Sequence, residues 1–211
     1  MYESFIQPIL LYGSDVWGVK DTAGKALDKI LLWFLRIMLR VKATTSNLVT
    51  LGECGVIPPA VKCHINVLLY FQRLSNSPDS SILKRVFRES QRLHDLGFTT
   101  WYSRVWNLAL EYGITNLTNP PTDYNKRLLR NKVTHAYKQT WLAQVQNLDK
   151  NPILRTYNQI KFEYKCEPYL NLIKIPKYRI AFSRFRAGSH SLEIERGRYT
   201  NPKTPVEDRL C

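Results

Sequence analysis

The densest chemistry in this sequence lies near its carboxyl end. From Lys174 to Arg198 the chain sets Lys174, Lys177, Arg179, Arg184, Arg186, His190, Arg196 and Arg198 among Tyr178, Phe182, Phe185 and Tyr199. Guanidinium forks match phosphate oxygens, and exposed rings can stack on unpaired bases, so the pattern suits a sugar–phosphate polymer. Lys177, Arg179, Arg184, Arg186, His190, Arg196 and Arg198 are the first candidates for phosphate contact. Tyr178, Ala181, Phe182 and Phe185 fall at i, i+3, i+4 and i+7, the spacing of a helix's inward stripe, so Phe182 and Phe185 are expected in a core.

A second basic set lies upstream. On a helix over about 22–41, Lys25, Lys29, Arg36 and Arg40 fall within about 60° of one another at 100° per residue. The rest of that helix is apolar, from Leu27 through Trp33 and Phe34 to Leu39. It is expected to be buried nearly all round, with its cationic stripe facing water or phosphates.

The charge balance agrees. Lys and Arg number 31 against 17 Asp and Glu, a net +14. The excess is uneven: residues 1–100 carry 12 basic and 8 acidic side chains, while 101–211 carry 19 and 9. A surplus of this size suits a polyanionic partner, because each neutralised phosphate releases a counterion.

Other chemistries lack their residues. Polymerases hold magnesium with paired carboxylates, yet the only adjacent acidic residues are Glu207 and Asp208. The histidines His64, His94, His135 and His190 are widely spaced, and no two of Cys54, Cys63, Cys166 and Cys211 make a C-x-x-C. No metal site, and no cofactor, is expected. Phosphate-cradling glycine loops are absent. The segment Gly52-Glu53-Cys54-Gly55 reads as a turn rather than a nucleophile. The chain is therefore expected not to be an enzyme by itself. The cysteines read as reduced thiols of an intracellular protein, nuclear or cytoplasmic. No apolar run is long enough for a bilayer and Met1-Tyr2-Glu3-Ser4 offers no basic leader, so neither a membrane nor a signal peptide is expected.

The elements that must position these residues are helices, about seven of them, and the fold class is mainly α. Residues 5–18, an apolar stretch broken at Pro8 and Gly13, are expected to form a short helix and a turn, and helices are expected over about 22–41, 60–74, 82–94, 101–112, 123–148, 153–164 and 177–187. The third carries an apolar stripe of Ile82, Leu83, Val86, Phe87 and Leu93. Thr99-Thr100 caps the fourth and Gly113 ends it. Residues 44–59 are expected to be a loop, and Pro120-Pro121 is the best internal break. A helical bundle would occupy 1–118, a helical linker 119–175, and a basic helical and extended segment 176–211.

Several segments resemble one family. The run Leu10-Leu11-Tyr12-Gly13-Ser14-Asp15-Val16-Trp17-Gly18 is similar to the stretch just after the polymerase core of LINE-type (non-LTR) retrotransposon reverse transcriptases. Thr45-Ser46-Asn47, followed by Gly52-Glu53-Cys54-Gly55-Val56-Ile57-Pro58, resembles its continuation. So do Glu167-Pro168-Tyr169-Leu170 and the run from Arg184 through Gly188, His190, Leu192 and Glu195 to Tyr199. Arg209-Leu210-Cys211 resembles the opening of the family's cysteine–histidine knuckle. The resemblance implies a thumb-like bundle and basic linker that hold RNA or DNA, a truncated zinc knuckle, and a polymerase core supplied in trans. The aspartate-bearing palm lies outside this sequence, so polymerase activity is not carried over. The alternative is a helical scaffold or a non-functional mobile-element remnant.

Overall fold

The computed structural model describes residues 2–190, 192, 197, 200–205 and 208, with the Asp21 side chain excepted. The fold is mainly α. After a π-helical turn at Tyr2–Ile6 come α1 (Gln7–Leu10), α2 (Ser14–Trp17), α3 (Asp21–Leu39), α4 (Asn47–Cys54), α5 (Pro59–Ser75), α6 (Ile82–Asp95) and α7 (Trp101–Glu111). Then follow α8 (Asp123–Gln146), a 3-10 turn (Pro152–Leu154), α9 (Arg155–Ile160), α10 (Tyr169–Leu172) and α11 (Pro176–Arg186). Among the described residues no single helix is long and apolar enough to cross a membrane.

Six of the expected helices match within two residues at each end, because their boundaries carry chemical signals. Pro59 opens α5, since its missing N–H has no helical acceptor there. Thr100 caps α7 by accepting from the Ser103 amide, while the Ser103 hydroxyl oxygen accepts from the Thr100 amide. Three expectations need correction. The loop over 44–59 contains α4, whose last turn is the Gly52-Glu53-Cys54 segment. The helix expected over 153–164 stops at Ile160. The count of about seven rises to eleven among the described residues: the short helix expected in 5–18 is two, α1 and α2, and α4 and α10 are added, all four of eight residues or fewer. Such pieces are too short to form alone in water, so tertiary packing makes them, and periodicity does not reveal them.

The chain forms two compact units that cut across the expected divisions at 118 and 175: Met1–Ile30 with Ile57–Gln139, and Leu31–Val56 with Thr140–Cys211. In the first unit, α5 is central. Phe71 is fully buried, with the Phe87 ring at 5.0 Å and Tyr102 at 5.1 Å, and Val67, Leu68, Val105, Leu117 and Val133 complete the core. Close approach to α5 needs small residues: a Cβ on Gly24 would stand 2.9 Å from Ala60 Cβ. Asp28 Oδ1 then accepts the Ala60 amide at 3.0 Å, supplying from α3 the cap that α5 lacks. The α6 stripe is another correction. Phe87 is buried and Leu93 half-buried, but Ile82, Leu83 and Val86 are exposed.

In the second unit the indole of Trp141 is buried. Its Nε1 donates to Leu48 O at 2.9 Å, and Tyr164 meets it edge-on at 5.0 Å. The Tyr164 hydroxyl donates to Val56 O at 2.5 Å. These bonds bring α4 onto residues more than ninety positions later, which is why a polar-looking segment becomes interior. α3 is not buried all round: Leu31, Leu32, Leu35 and Leu39 face inward, while Trp33 is 64% exposed and Ile30, Ile37 and Met38 are exposed as well.

Candidate nucleic-acid interface

The expected site residues divide between surface and interior. Lys177 is exposed at the start of α11, and Arg184 near its end is also exposed, its Nε donating to Arg40 O at 2.8 Å. Arg179 is half-buried, with Nη1 3.4 Å from Ile173 O. His190 is half-buried and its ring stacks on Phe185, centroids 5.6 Å apart and planes at 25°. Arg196 and Arg198 lie outside the described residues, as do Tyr199 and Arg209-Leu210-Cys211.

Arg186 is a correction. Its side chain is only 10% exposed and forms a fork with Glu53: Nε to Oε2 and Nη2 to Oε1, both 2.9 Å. Glu167 Oε2 approaches the same guanidinium at 3.2 Å. Burial alone would lower the Arg186 pKa, but the hydrogen bonds to Glu53 and the two carboxylate charges hold it above its ordinary value. A guanidinium so committed is a structural cation, not a phosphate ligand.

Around that fork lies a buried polar cluster that the sequence does not reveal. Glu53 is fully buried at the end of α4. The Tyr169 hydroxyl donates to Glu53 Oε2 at 2.8 Å and lies 3.0 Å from Ser183 Oγ. The Glu167 amide donates to Glu53 O at 2.9 Å. Lys161, also buried, pairs with Glu167 and donates to Lys165 O at 2.7 Å. Two carboxylates and two cations leave the cluster neutral, the condition under which charges survive in an interior. The only signal in the sequence is a Glu set between Gly52 and Gly55 after the run Leu48–Leu51, which does not name its partner.

The aromatics of α11 reverse expectation. With Arg186 and Ser183 turned inward, Phe182 is 42% exposed, Phe185 51% and Tyr178 60%. Phe182 still touches Tyr169 edge-on at 4.8 Å. The three rings do share one helical face, but the interior beside it is polar and takes the guanidinium.

The upstream set also separates. In the first unit Lys25 and Lys29 are exposed, one helical turn apart. In the second, Arg36 is half-buried and its Nη2 donates to Thr45 O and Asn47 Oδ1, both at 2.6 Å; burial lowers its pKa. Arg40 is exposed and holds a left-handed backbone, φ +55°, a strained conformation for a side chain of its size, which ends α3.

The second unit brings Arg40, Arg184 and His190 together with Lys42, a residue that its sequence surroundings do not single out. All four rim one hollow of about 670 Å³, and Lys42 and His190 also rim a second of about 600 Å³ that Arg186 borders from within. Among the described residues no carboxylate lines either hollow. The Lys42 amide donates to Ser189 Oγ at 2.9 Å, tying the segment after α3 to the turn after α11.

Alkali is expected to weaken the second unit, through Tyr169 of the cluster and its neighbours Tyr157 and Cys54. Burial, reinforced by the Glu53 charge, pushes the Tyr157 and Tyr169 hydroxyls well above their ordinary value of 10.0. Burial also pushes the Cys54 thiol up to about 12 from 9.0. Each group keeps its proton in the folded state at a pH where the unfolded chain has released it. The stabilisation is complete below about pH 9 and is lost as pH rises through 9 to 12. Urea midpoints should therefore fall steadily above about pH 9, and a flat profile to pH 11 would contradict this.

No protein-family model, curated protein or solved structure matches this chain.

Proposed function

We propose that this protein binds RNA or DNA without strong sequence preference, through the cationic rim of its second unit. The reading includes its parentage: the chain is the thumb-like and C-terminal part of a retrotransposon-type RNA-directed DNA polymerase, without the palm and so not catalytic alone. A polymerase core in trans is the protein partner this implies.

One observation supports the reading above the rest. Arg40 and Lys42 meet Arg184, more than 140 positions later, at one hollow without a lining carboxylate among the described residues. Converging cations set a local positive potential, and a polyanion is the ligand that such a potential concentrates. Lys177 extends the same charge along α11. A scaffold role is the second reading, favoured by the exposed Ile82, Leu83 and Val86 of α6.

The test is fluorescence anisotropy with a labelled single strand across a salt series. Four phosphate contacts give a slope of log affinity against log salt of about −3. Arg184→Ala should weaken binding to every sequence alike and flatten the slope by about 0.7 to 1. Arg186→Lys should leave the slope unchanged, since that residue makes no phosphate contact. Affinity that ignores salt would overturn the reading and favour the scaffold.

A further inference from the structure

We infer that the stacked pair Phe185–His190 is a base-stacking ridge, and that the ligand of this face is an unpaired nucleotide strand rather than a duplex. The inference rests on the nucleic-acid reading above and specifies its ligand.

The geometry begins with an aromatic side chain that the fold leaves outside. Burying a Phe side chain is worth about 1.5–3 kcal/mol, and the last turn of α11 forgoes much of that by keeping Phe185 half exposed while Arg186 goes inward. The ring is not loose. It lies nearly parallel to the His190 imidazole at 5.6 Å. Phe185, His190, Lys42 and Ser189 line both hollows, so the stacked pair stands on the divide between them.

The divide is pinned from two sides. The Lys42 amide donates to Ser189 Oγ at 2.9 Å, and Arg184 Nε donates to Arg40 O at 2.8 Å. Both bonds join the segment just after α3 to the end of α11. A platform fixed before the ligand arrives loses less ordering entropy on binding. Each hollow falls within the roughly 300–1,000 Å³ of ligand sites.

Charge and shape then select the occupant. Arg40, Lys42 and Arg184 line the hollow on one side of the ridge and Lys42 reaches the other as well, suited to a backbone passing over it. A base swung into either hollow can set its face against the Phe185–His190 pair. Every base has such a face, so stacking adds affinity without sequence choice. In a duplex those faces are covered by neighbouring bases, and the ridge meets only phosphates.

Three probes of equal phosphate count test this: oligodeoxythymidylate, the same strand with abasic sites, and a hairpin duplex. The intact protein should bind the base-bearing strand roughly tenfold more tightly than the abasic one at the same salt. Phe185→Leu should erase that preference, Phe185→Trp should retain it, and hairpin affinity should be unchanged by either. Equal binding of base-bearing and abasic strands, with salt dependence intact, overturns the ridge and leaves the charge reading standing. Equal loss on all three probes with a Phe185→Leu protein that keeps the native tryptophan fluorescence marks the ring as structural and also overturns it. Absence of binding to any probe removes both readings. The comparison of strands on the unmutated protein decides the matter even if a variant fails to fold.

Discussion

Glu53→Ala is expected to lower unfolding stability by about 3–5 kcal/mol, the cost of leaving one member of a buried ion pair without its partner. The Arg186 guanidinium, nine-tenths buried, would lose its fork and keep only the Glu167 carboxylate at 3.2 Å. Tyr169 would lose the acceptor of its hydroxyl proton. The pair acts as one unit, so the damage should not add. Arg186→Met alone should cost a similar amount, whereas the Glu53→Leu/Arg186→Met double variant should cost far less than the two together. Urea unfolding followed by tryptophan fluorescence gives all the values, and Trp141 reports from the same unit. A loss below about 1 kcal/mol for Glu53→Ala would show that the cluster does not hold the second unit together.

Gly55→Ala should be nearly as damaging, for a reason unrelated to charge. Gly55 ends α4 with φ +63°, and its amide donates to Leu51 O at 2.8 Å. A left-handed residue with a side chain costs roughly 1–2 kcal/mol. The larger problem is space: a Cβ there would stand 2.2 Å from Cys166 N and 2.5 Å from Lys165 C, both backbone atoms. Backbone cannot swing aside as a side-chain end can, so the total should reach about 3 kcal/mol or more. Gly113 is the control. It has φ +64° with nothing within 4 Å of the place a methyl group would take, so Gly113→Ala should cost only the conformational part, about 1–2 kcal/mol. Equal losses at the two positions would mean that the packing of Gly55 against Cys166 contributes nothing.

Both predictions fall on the last turn of α4 and the residue that ends it, a Gly-Glu-Cys-Gly segment that looks like a turn in the sequence. The same segment explains why the binding candidates needed sorting. Arg179, Arg184 and Arg186 look alike in a string of letters, and only Glu53, more than 130 positions away, removes Arg186 from the set. Lys42 escapes notice for the converse reason. It follows the end of α3 in an unremarkable stretch and becomes interesting only beside Ser189 and His190.

The order of the letters alone settled the helical class, the main helix boundaries and the excess of positive charge. Those follow from neighbours within about four positions: Pro59 at a start, Thr100 with Ser103 at a cap, cations counted one by one. Folding in three dimensions decided which side of α11 faces inward, which arginine became structural, and which aromatics stayed in contact with water. Those outcomes depend on partners distant in the chain, and a buried carboxylate that attracts a guanidinium can override the apolar period that would have placed a phenyl ring inside.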